Sequence, residues 1–350
     1  MSFQEEKRES IKRYMLEKIR NDDEAYIQKT TENFGISVTT VKRYLKECLE
    51  KGILEEKESQ TGYALACQEW FFSYDRKEGL QEDKLFVTDV RPALANLSNE
   101  ANQIWYYVFS EIMNNAIDHS NAQHIYCKVK WDELYTEISI TDDGIGIFAN
   151  ICASLSSDRG NDFDYYDAIA ELYKGKFTTN SKEHSGEGIF FSSKLVDEFA
   201  IWSDNAIFYR GYGQKEKIVQ SHLVSYYAKL KRIGTMVVMK LSNMTNRTVK
   251  EVFDMYAPIE EGFVKTVIPV KETCLYGEPI ARSQARRLLY RLEQFKSVEF
   301  DFTDVEFVGQ GFADEIFRVF QNAHPEIELF PSHANETVLG MIRHVRMNLE

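Results

Sequence analysis

No stretch of the 350 residues approaches the roughly eighteen consecutive apolar side chains that a membrane helix needs, and no basic-then-apolar leader is found. A membrane partner and an export signal are therefore not expected, and the chain is read as cytoplasmic. Low-complexity tracts and internal repeats are missing too, which argues against a disordered or solenoid protein. Paired cysteines are missing: Cys48, Cys67, Cys127, Cys152 and Cys274 are scattered, odd in number and without a C-x-x-C spacing. That pattern fits free buried thiols in a reducing compartment rather than a disulfide framework or a zinc site. An excess of positive charge is also absent. The net charge of −13 excludes a chain coated in nucleic acid but leaves room for a local basic patch.

What is present reads as globular, with 43% hydrophobic and 28% charged residues, and the length allows two or three domains with separate cores. Ile11, Tyr14, Met15, Leu16 and Ile19 recur at helical spacing between residues 7 and 20. A second helix is expected from Glu24 to Phe34, where Gly35 stops it. Ser37 can cap a third, with Val38, Val41, Leu45 and Leu49 on its apolar stripe and Lys42, Arg43 and Lys46 outward. Gly52 ends that helix, and Ile53-Leu54 with Gly62 to Leu65 reads as a two-stranded wing. Three helices and a wing resemble a winged helix-turn-helix. The resemblance implies DNA as a partner, through Ser37, Thr39, Thr40, Lys42, Arg43 and Lys46 of the recognition helix. A protein-interaction module of the same shape is the alternative. Residues 1 to 66 carry 12 basic and 13 acidic side chains, so no general positive field supports sequence-independent binding.

The aromatic run Trp70-Phe71-Phe72 with Tyr74 is expected in a connector helix, Phe86 to Val90 in a short strand, and Ser98 at the start of a long helix. That helix carries Glu111-Ile-Met-Asn-Asn-Ala-Ile-Asp-His119, which sets Glu111, Asn115 and His119 four apart on one face. A carboxylate, an amide oxygen and an imidazole suit a wet site beside a metal and phosphates better than a core. Ile125 to Val129 and Tyr135 to Ile140 alternate as paired strands, and Asp142-Asp143-Gly144-Ile145-Gly146 follows the second. Some forty residues on, Ser185-Gly186-Glu187-Gly188-Ile189 opens a helix. Between them, residues 148 to 185 lose periodicity except for a short helix near 166 to 173, and are read as a lid. Strands are expected at 199–203, 206–210, 221–230 and 235–241, giving helices on one face of a mixed sheet.

The ordered motifs resemble the superfamily of gyrase B, heat-shock chaperone ATPases, histidine kinases and mismatch-repair ATPases, called GHKL. Its N-box E-x-x-x-N-A matches Glu111, Asn115 and Ala116, and its D-x-G-x-G box matches Asp142, Gly144 and Gly146. The second glycine box is shortened to Gly186 and Gly188, and Gly234-Thr235 fits the late Gly-Thr element. The resemblance covers roughly residues 85 to 245 and implies ATP and Mg²⁺ as cofactors.

In that reading Asp142 accepts a hydrogen bond from the exocyclic amine of adenine, where guanine offers a repelled carbonyl. Gly144 and Gly146 let the backbone approach the base. Gly186, Gly188 and Ile189 present N–H groups to phosphates at a helix start, and Thr235 completes the pocket. Asn115 supplies one oxygen to Mg²⁺, which otherwise keeps water and phosphate ligands, and Glu111 orients or deprotonates the attacking water. His119 either touches a phosphate or caps its helix. Lys174, Lys176 and Lys182 are either lid contacts to phosphate or an ordinary solvated charge run.

Thr248 to Ile259 reads as a helical linker, after which strands and helices alternate from 262 to 350. The run Val298 to Ile316 resembles a STAS module, with a departure: Gly309-Gln310-Gly311 stands where STAS regulators place a phosphorylatable serine. The expected class is α/β (α+β): a winged helix-turn-helix (1–66), a connector (67–84), a GHKL domain (85–245), a linker (246–261) and a STAS-like domain (262–350). Three functions follow. One is an ATP-hydrolysing regulator that binds DNA, with the tethered STAS-like domain sensing nucleotide or meeting a protein partner. The others are an anti-sigma-type protein kinase and a non-catalytic nucleotide sensor. A histidine kinase proper is disfavoured, because none of the 7 histidines precedes His119.

Overall fold

The computed structural model describes residues 3–57, 62–76, 79–159, 163–177, 186–211, 233–258, 260–274 and 278–347. Helices α1 (Phe3–Arg20), α2 (Tyr26–Phe34) and α3 (Val38–Glu50) and an antiparallel ribbon, β1 (Leu54–Glu56) with β2 (Tyr63–Leu65), come first. Gly35 takes the left-handed conformation that closes α2, and the Ser37 hydroxyl accepts the Thr40 N–H to open α3. Ile11, Met15, Leu16 and Ile19 of α1 meet Val41, Tyr44, Leu45 and Cys48 of α3 in a core of their own. This unit rests on the tip of a hairpin further along the chain. Leu134 enters its core, the Tyr135 hydroxyl donates to Glu17 (2.8 Å), and Arg20 lies 3.3 Å from Asp132.

The hairpin belongs to a six-stranded sheet of order β3-β4-β5-β8-β6-β7: β3 (Gln68–Asp75), β4 (His124–Trp131), β5 (Tyr135–Asp142), β6 (Glu198–Ser203), β7 (Ala206–Arg210) and β8 (Thr235–Ser242). Two sequence expectations are corrected here. The aromatic stretch 68–75 is an edge strand, not a connector helix: Trp70, Phe72 and Tyr74 alternate toward the core while Phe71 meets Tyr126 on the other face. Aromatic side chains pack well on a pleated surface, and all eight residues of the strand pair with β4. Among the described residues the sheet is also antiparallel rather than mixed, because every neighbouring pair runs in opposite directions. The strand expected at 221–230 lies outside the described residues.

One face of the sheet carries α6 (Asn99–Asp118), α8 (Tyr165–Lys174) and α9 (Gly188–Leu195). Ser98 caps α6 through the Ala101 N–H. Before it, the residues expected as a strand, Phe86–Val90, form a wide helical turn between α4 (Glu82–Leu85) and α5 (Arg91–Ala93). Phe86 and Val90, four apart, are both buried, and the Thr88 hydroxyl donates back to the Lys84 carbonyl, as helical geometry requires. The stretch expected as a lid is largely packed as well. Helix α7 (Ile147–Arg159) buries Phe148, Ile151 and Leu155, and α8 opens with Asp164 and Asp167 capping one another; 160–162 and 178–185 lie outside the described residues.

A parallel three-stranded sheet, order β11-β10-β9, closes the chain: β9 (Lys265–Pro269), β10 (Ser297–Asp301) and β11 (Glu328–Ser332). Around it stand α10 (Val249–Tyr256), α11 (Val270–Thr273), α12 (Arg282–Leu289), the helical run α13 (Gln310–Asp314), Glu315–Phe320 and α14 (Gln321–Ala323), and α15 (Glu336–Met347). Its core is continuous with that of the six-stranded domain. Phe253 of α10 stacks on Phe191 of α9 at 4.0 Å, and Phe263 meets Phe190 at 4.6 Å and Phe295 at 5.4 Å. The segment expected as a linker is thus a packed helix.

At this junction Lys174, expected as a lid residue, is 1% exposed. Its ammonium donates to Glu171 (2.6 Å) and to the carbonyls of Tyr290 (2.8 Å) and Arg287 (3.3 Å), at the C-terminal end of α12. Three donors meet three acceptors, and the charge sits at the negative end of a helix. Lys174→Met is expected to destabilise the protein by about 3–5 kcal/mol by leaving Glu171 buried and unpaired, and a second change, Glu171→Leu, to restore most of that. Urea denaturation of the two variants checks it.

Candidate nucleotide site

A cavity of about 340 Å³ opens between α6, the end of β5, α7 and the start of α9. Helix α6 brings Glu111, Asn115 and His119 to it, as their spacing requires, and Asp142, Gly146, Gly186, Gly188, Ile189 and Thr235 complete its lining from the other elements. Gly144 is set back from the wall, and Lys182 lies outside the described residues. Lys174 and Lys176 turn away: Lys176 donates to the Gln294 carbonyl (2.8 Å) and lies over the rings of Phe295 and Phe263. Lys174 is buried and Lys176 half-buried, and neither lines the cavity.

Asp142 is 4% exposed and held by two backbone groups, the N–H of Gly144 (2.8 Å) and of Thr235 (3.3 Å), both donating to Oδ1. Asp143, next along the chain, points the opposite way, accepting the N–H groups of Gln123 and His124 and standing 2.8 Å from His124 Nδ1. Strand geometry separates the two carboxylates, one for the cavity and one to pin the start of β4. Thr235 works twice, since its hydroxyl also accepts the Ile147 N–H that starts α7.

Two of the glycines are also required by close packing. A Cβ at 144 would collide with the Ser120 carbonyl just past α6, so Gly144 lets β5 and α6 close on each other. A Cβ at 188 would collide with the Glu111 carboxylate. Gly188 therefore allows that carboxylate to rest against the first turn of α9, where the helix dipole favours negative charge. The N-cap residue of α9 is Glu187, whose own side chain makes no capping bond. His119 is the C-cap of α6, its N–H bonded to the Asn115 carbonyl, and its half-buried side chain lines the cavity: both readings of this residue have support in its position.

Sequence reasoning missed Asn114, Ser120, Asn150, Leu172, Phe177 and Val237, which share the lining. Val237 lies in an expected strand, but its place beside Ile140 is set by a pairing that only the fold shows. Asn150 follows from Ile147, Phe148, Ile151 and Leu155 recurring at helical spacing, a signal blurred by the serines at 154, 156 and 157. Phe177 carried no local signal. Among the described residues no cluster of three or more His, Cys, Asp or Glu could hold a metal. The donor set fits a cation carried mainly by phosphates, with the Asn115 amide as a single protein oxygen, and does not fit an all-protein cage.

Residues 101–241 match the family described as histidine kinase-, DNA gyrase B- and HSP90-like ATPase, and residues 284–339 match a STAS-like domain of unknown function. No curated protein matches the chain. The middle of the chain is thus an ATP-binding domain of that kind, followed by a STAS-like domain, and among the described residues no helix is long and apolar enough to cross a membrane.

Asp142→Ala is expected to cost about 1–3 kcal/mol of stability by leaving the Gly144 and Thr235 N–H groups without their acceptor. Asp142→Asn keeps an oxygen there and should melt close to the parent. Calorimetric unfolding separates the two.

Proposed function

We propose that the chain is a cytoplasmic, Mg²⁺-dependent ATPase of regulatory type that binds DNA through its first domain. The observation that carries it is the convergence of Glu111, Asn115, Asp142 and the start of α9 on one cavity. Adenine sits at Asp142, whose carboxylate is held by backbone N–H groups and accepts from the exocyclic amine. The triphosphate extends to the N-terminus of α9 at Gly186, Gly188 and Ile189, where N–H groups and the helix dipole favour anions. Mg²⁺, when bound, neutralises charge on the phosphates, and Asn115 is the residue that would hold it. Glu111 accepts the proton of a water whose oxygen bonds to the γ-phosphorus as the bond to the bridging oxygen breaks, releasing ADP and phosphate.

Labelled ATP, followed both as free phosphate and as protein-bound label, tests this. Glu111→Gln should bind ATP like the parent and hydrolyse it about 10²-fold more slowly or worse, while Asp142→Asn should lose affinity because it presents a donor to the adenine amine. Equal turnover by Glu111→Gln and parent would remove Glu111 from the mechanism. Stoichiometric protein-bound label on Thr303, whose hydroxyl donates to Asp301 (2.7 Å), would favour the protein-kinase reading.

The first domain is proposed as a winged helix-turn-helix with α3 as recognition helix. Lys42, Arg43 and Lys46 are exposed along it, with Ser37 and Thr39 exposed and Thr40 half-buried at its start. Arg43 is 4.0 Å from Glu47 and Lys46 is 3.6 Å from Glu50, long pairs that phosphate can displace. Arg43→Glu is expected to weaken DNA binding at moderate salt and to leave ATP affinity unchanged. A parent protein without salt-sensitive DNA binding in a mobility-shift titration would make this a protein-interaction module.

A further inference from the structure

Phe177 lines the nucleotide cavity, yet what holds it comes from the other domain. Just beyond α12, Arg291 takes the left-handed conformation (φ 61°), which a non-glycine residue rarely adopts. From there its guanidinium lies over the Phe177 ring, 5.3 Å from the centroid, and donates to the Lys176 carbonyl at 3.2 Å. The Lys176 ammonium in turn donates to the Gln294 carbonyl. These reciprocal contacts bracket one short segment, with its aromatic ring between a cation and the cavity. On the other side Gly186, also a lining residue, packs so closely on Phe177 that a Cβ there would stand 2.5 Å from the Phe177 carbonyl. A shift of the Phe177 backbone, which Arg291 holds through the Lys176 carbonyl, therefore displaces the backbone that leads into α9.

We propose that Arg291 of the STAS-like domain is a positioning residue for the nucleotide site, setting the Phe177 wall and, through it, the approach to the start of α9. The proposal rests on the ATP reading of the cavity. Its consequence is that the STAS-like domain forms part of the nucleotide site from behind, and that a partner drawing Arg291 away would weaken nucleotide binding without touching the cavity.

The test uses the full chain and ATP with Mg²⁺, measured by calorimetry beside thermal unfolding. Arg291→Gly suits the left-handed backbone, so the fold should melt at or above the parent temperature. ATP affinity should nevertheless fall about five- to tenfold, the range expected for losing a partly buried cation–π contact and its hydrogen bond. Arg291→Lys should recover part of the loss, and Arg286→Ala, which removes a guanidinium paired with Glu315 (2.7 Å), should leave affinity unchanged. In a Phe177→Leu background, Arg291→Gly should add little further loss. Parent-like affinity of Arg291→Gly, or a full additive loss in the Phe177→Leu background, overturns the proposal alone. A parent that does not bind ATP overturns the ATP reading, and this proposal with it. Should Arg291→Gly not fold, Arg291→Asn, also tolerant of the left-handed region, carries the same expectation.

Discussion

The arrangement of the two larger domains depends on a buried ammonium. Lys174 leaves the end of α8 and ends against the last carbonyls of α12, in a space where water cannot reach it. Burial pushes its pKa down, and the Glu171 carboxylate beside it opposes that shift. A charge in such a place is tolerated only with every proton directed to an acceptor, so the pair admits little variation in how the domains meet. The junction also carries aromatic contacts, Phe191 on Phe253 and Phe263 between Phe190 and Phe295, which are less directional, and polar bonds nearer its edge, such as Arg291 to the Lys176 carbonyl. Rings supply the area of contact, and the lysine supplies the register.

This changes how the STAS-like domain should be regarded. A tethered sensor would have its own core and would meet the ATP-binding domain in a separate docking step. Here α10 is already seated on α9 through Phe253 and Tyr256, and the hydrophobic core runs on through β9. An influence of this domain on the nucleotide therefore acts through small adjustments of a packed junction rather than through capture of a free domain. A separated state would expose the rings of Phe190, Phe253 and Phe263 together, a sizeable apolar cost.

The parts of the molecule that were legible beforehand are those in which local pattern and tertiary role agree. The four-residue spacing of Glu111, Asn115 and His119 needed only a helix, and Asp142 needed only a strand end beside a turn. Ser98 and Ser37 were readable as caps because the first free N–H groups of a helix need an acceptor wherever the helix lies. Legibility failed where the deciding partner is remote in sequence. Phe86–Val90 has the aromatic and β-branched composition of a strand, and the turn is helical because Phe86 and Val90 both reach the core. The run Trp70 to Tyr74 becomes a strand because β4, more than fifty residues later, offers an edge to it. Lys174 and Lys176 read as a solvated charge run because nothing near them in sequence announces that the carbonyls of Tyr290 and Gln294 will receive them.

Strand β5 connects the first domain to the proposed adenine end of the cavity, beside β8, whose Ser242 hydroxyl accepts from Arg13 (3.2 Å), and the mechanical character of β5 shapes how the two can communicate. Strand β5 begins at Tyr135, whose hydroxyl holds Glu17 of α1, and ends at Asp142. It is paired along its length with β4 on one side and β8 on the other, so it cannot bend or slip register alone without breaking both ladders. At about 3.4 Å per residue it transmits a position over some seven residues as a stiff rod. A nucleotide that moves Asp142 can reach the first domain along this path only by tilting the β4–β5 hairpin as a body. The contacts at its tip, Tyr135 with Glu17 and Asp132 with Arg20, are polar and few enough to change partners under such a tilt, whereas Leu134 is anchored in the apolar core of the first domain. A tilt would thus turn that domain about Leu134 rather than detach it, which is the geometry a regulator needs if nucleotide is to alter the presentation of α3 and not its fold.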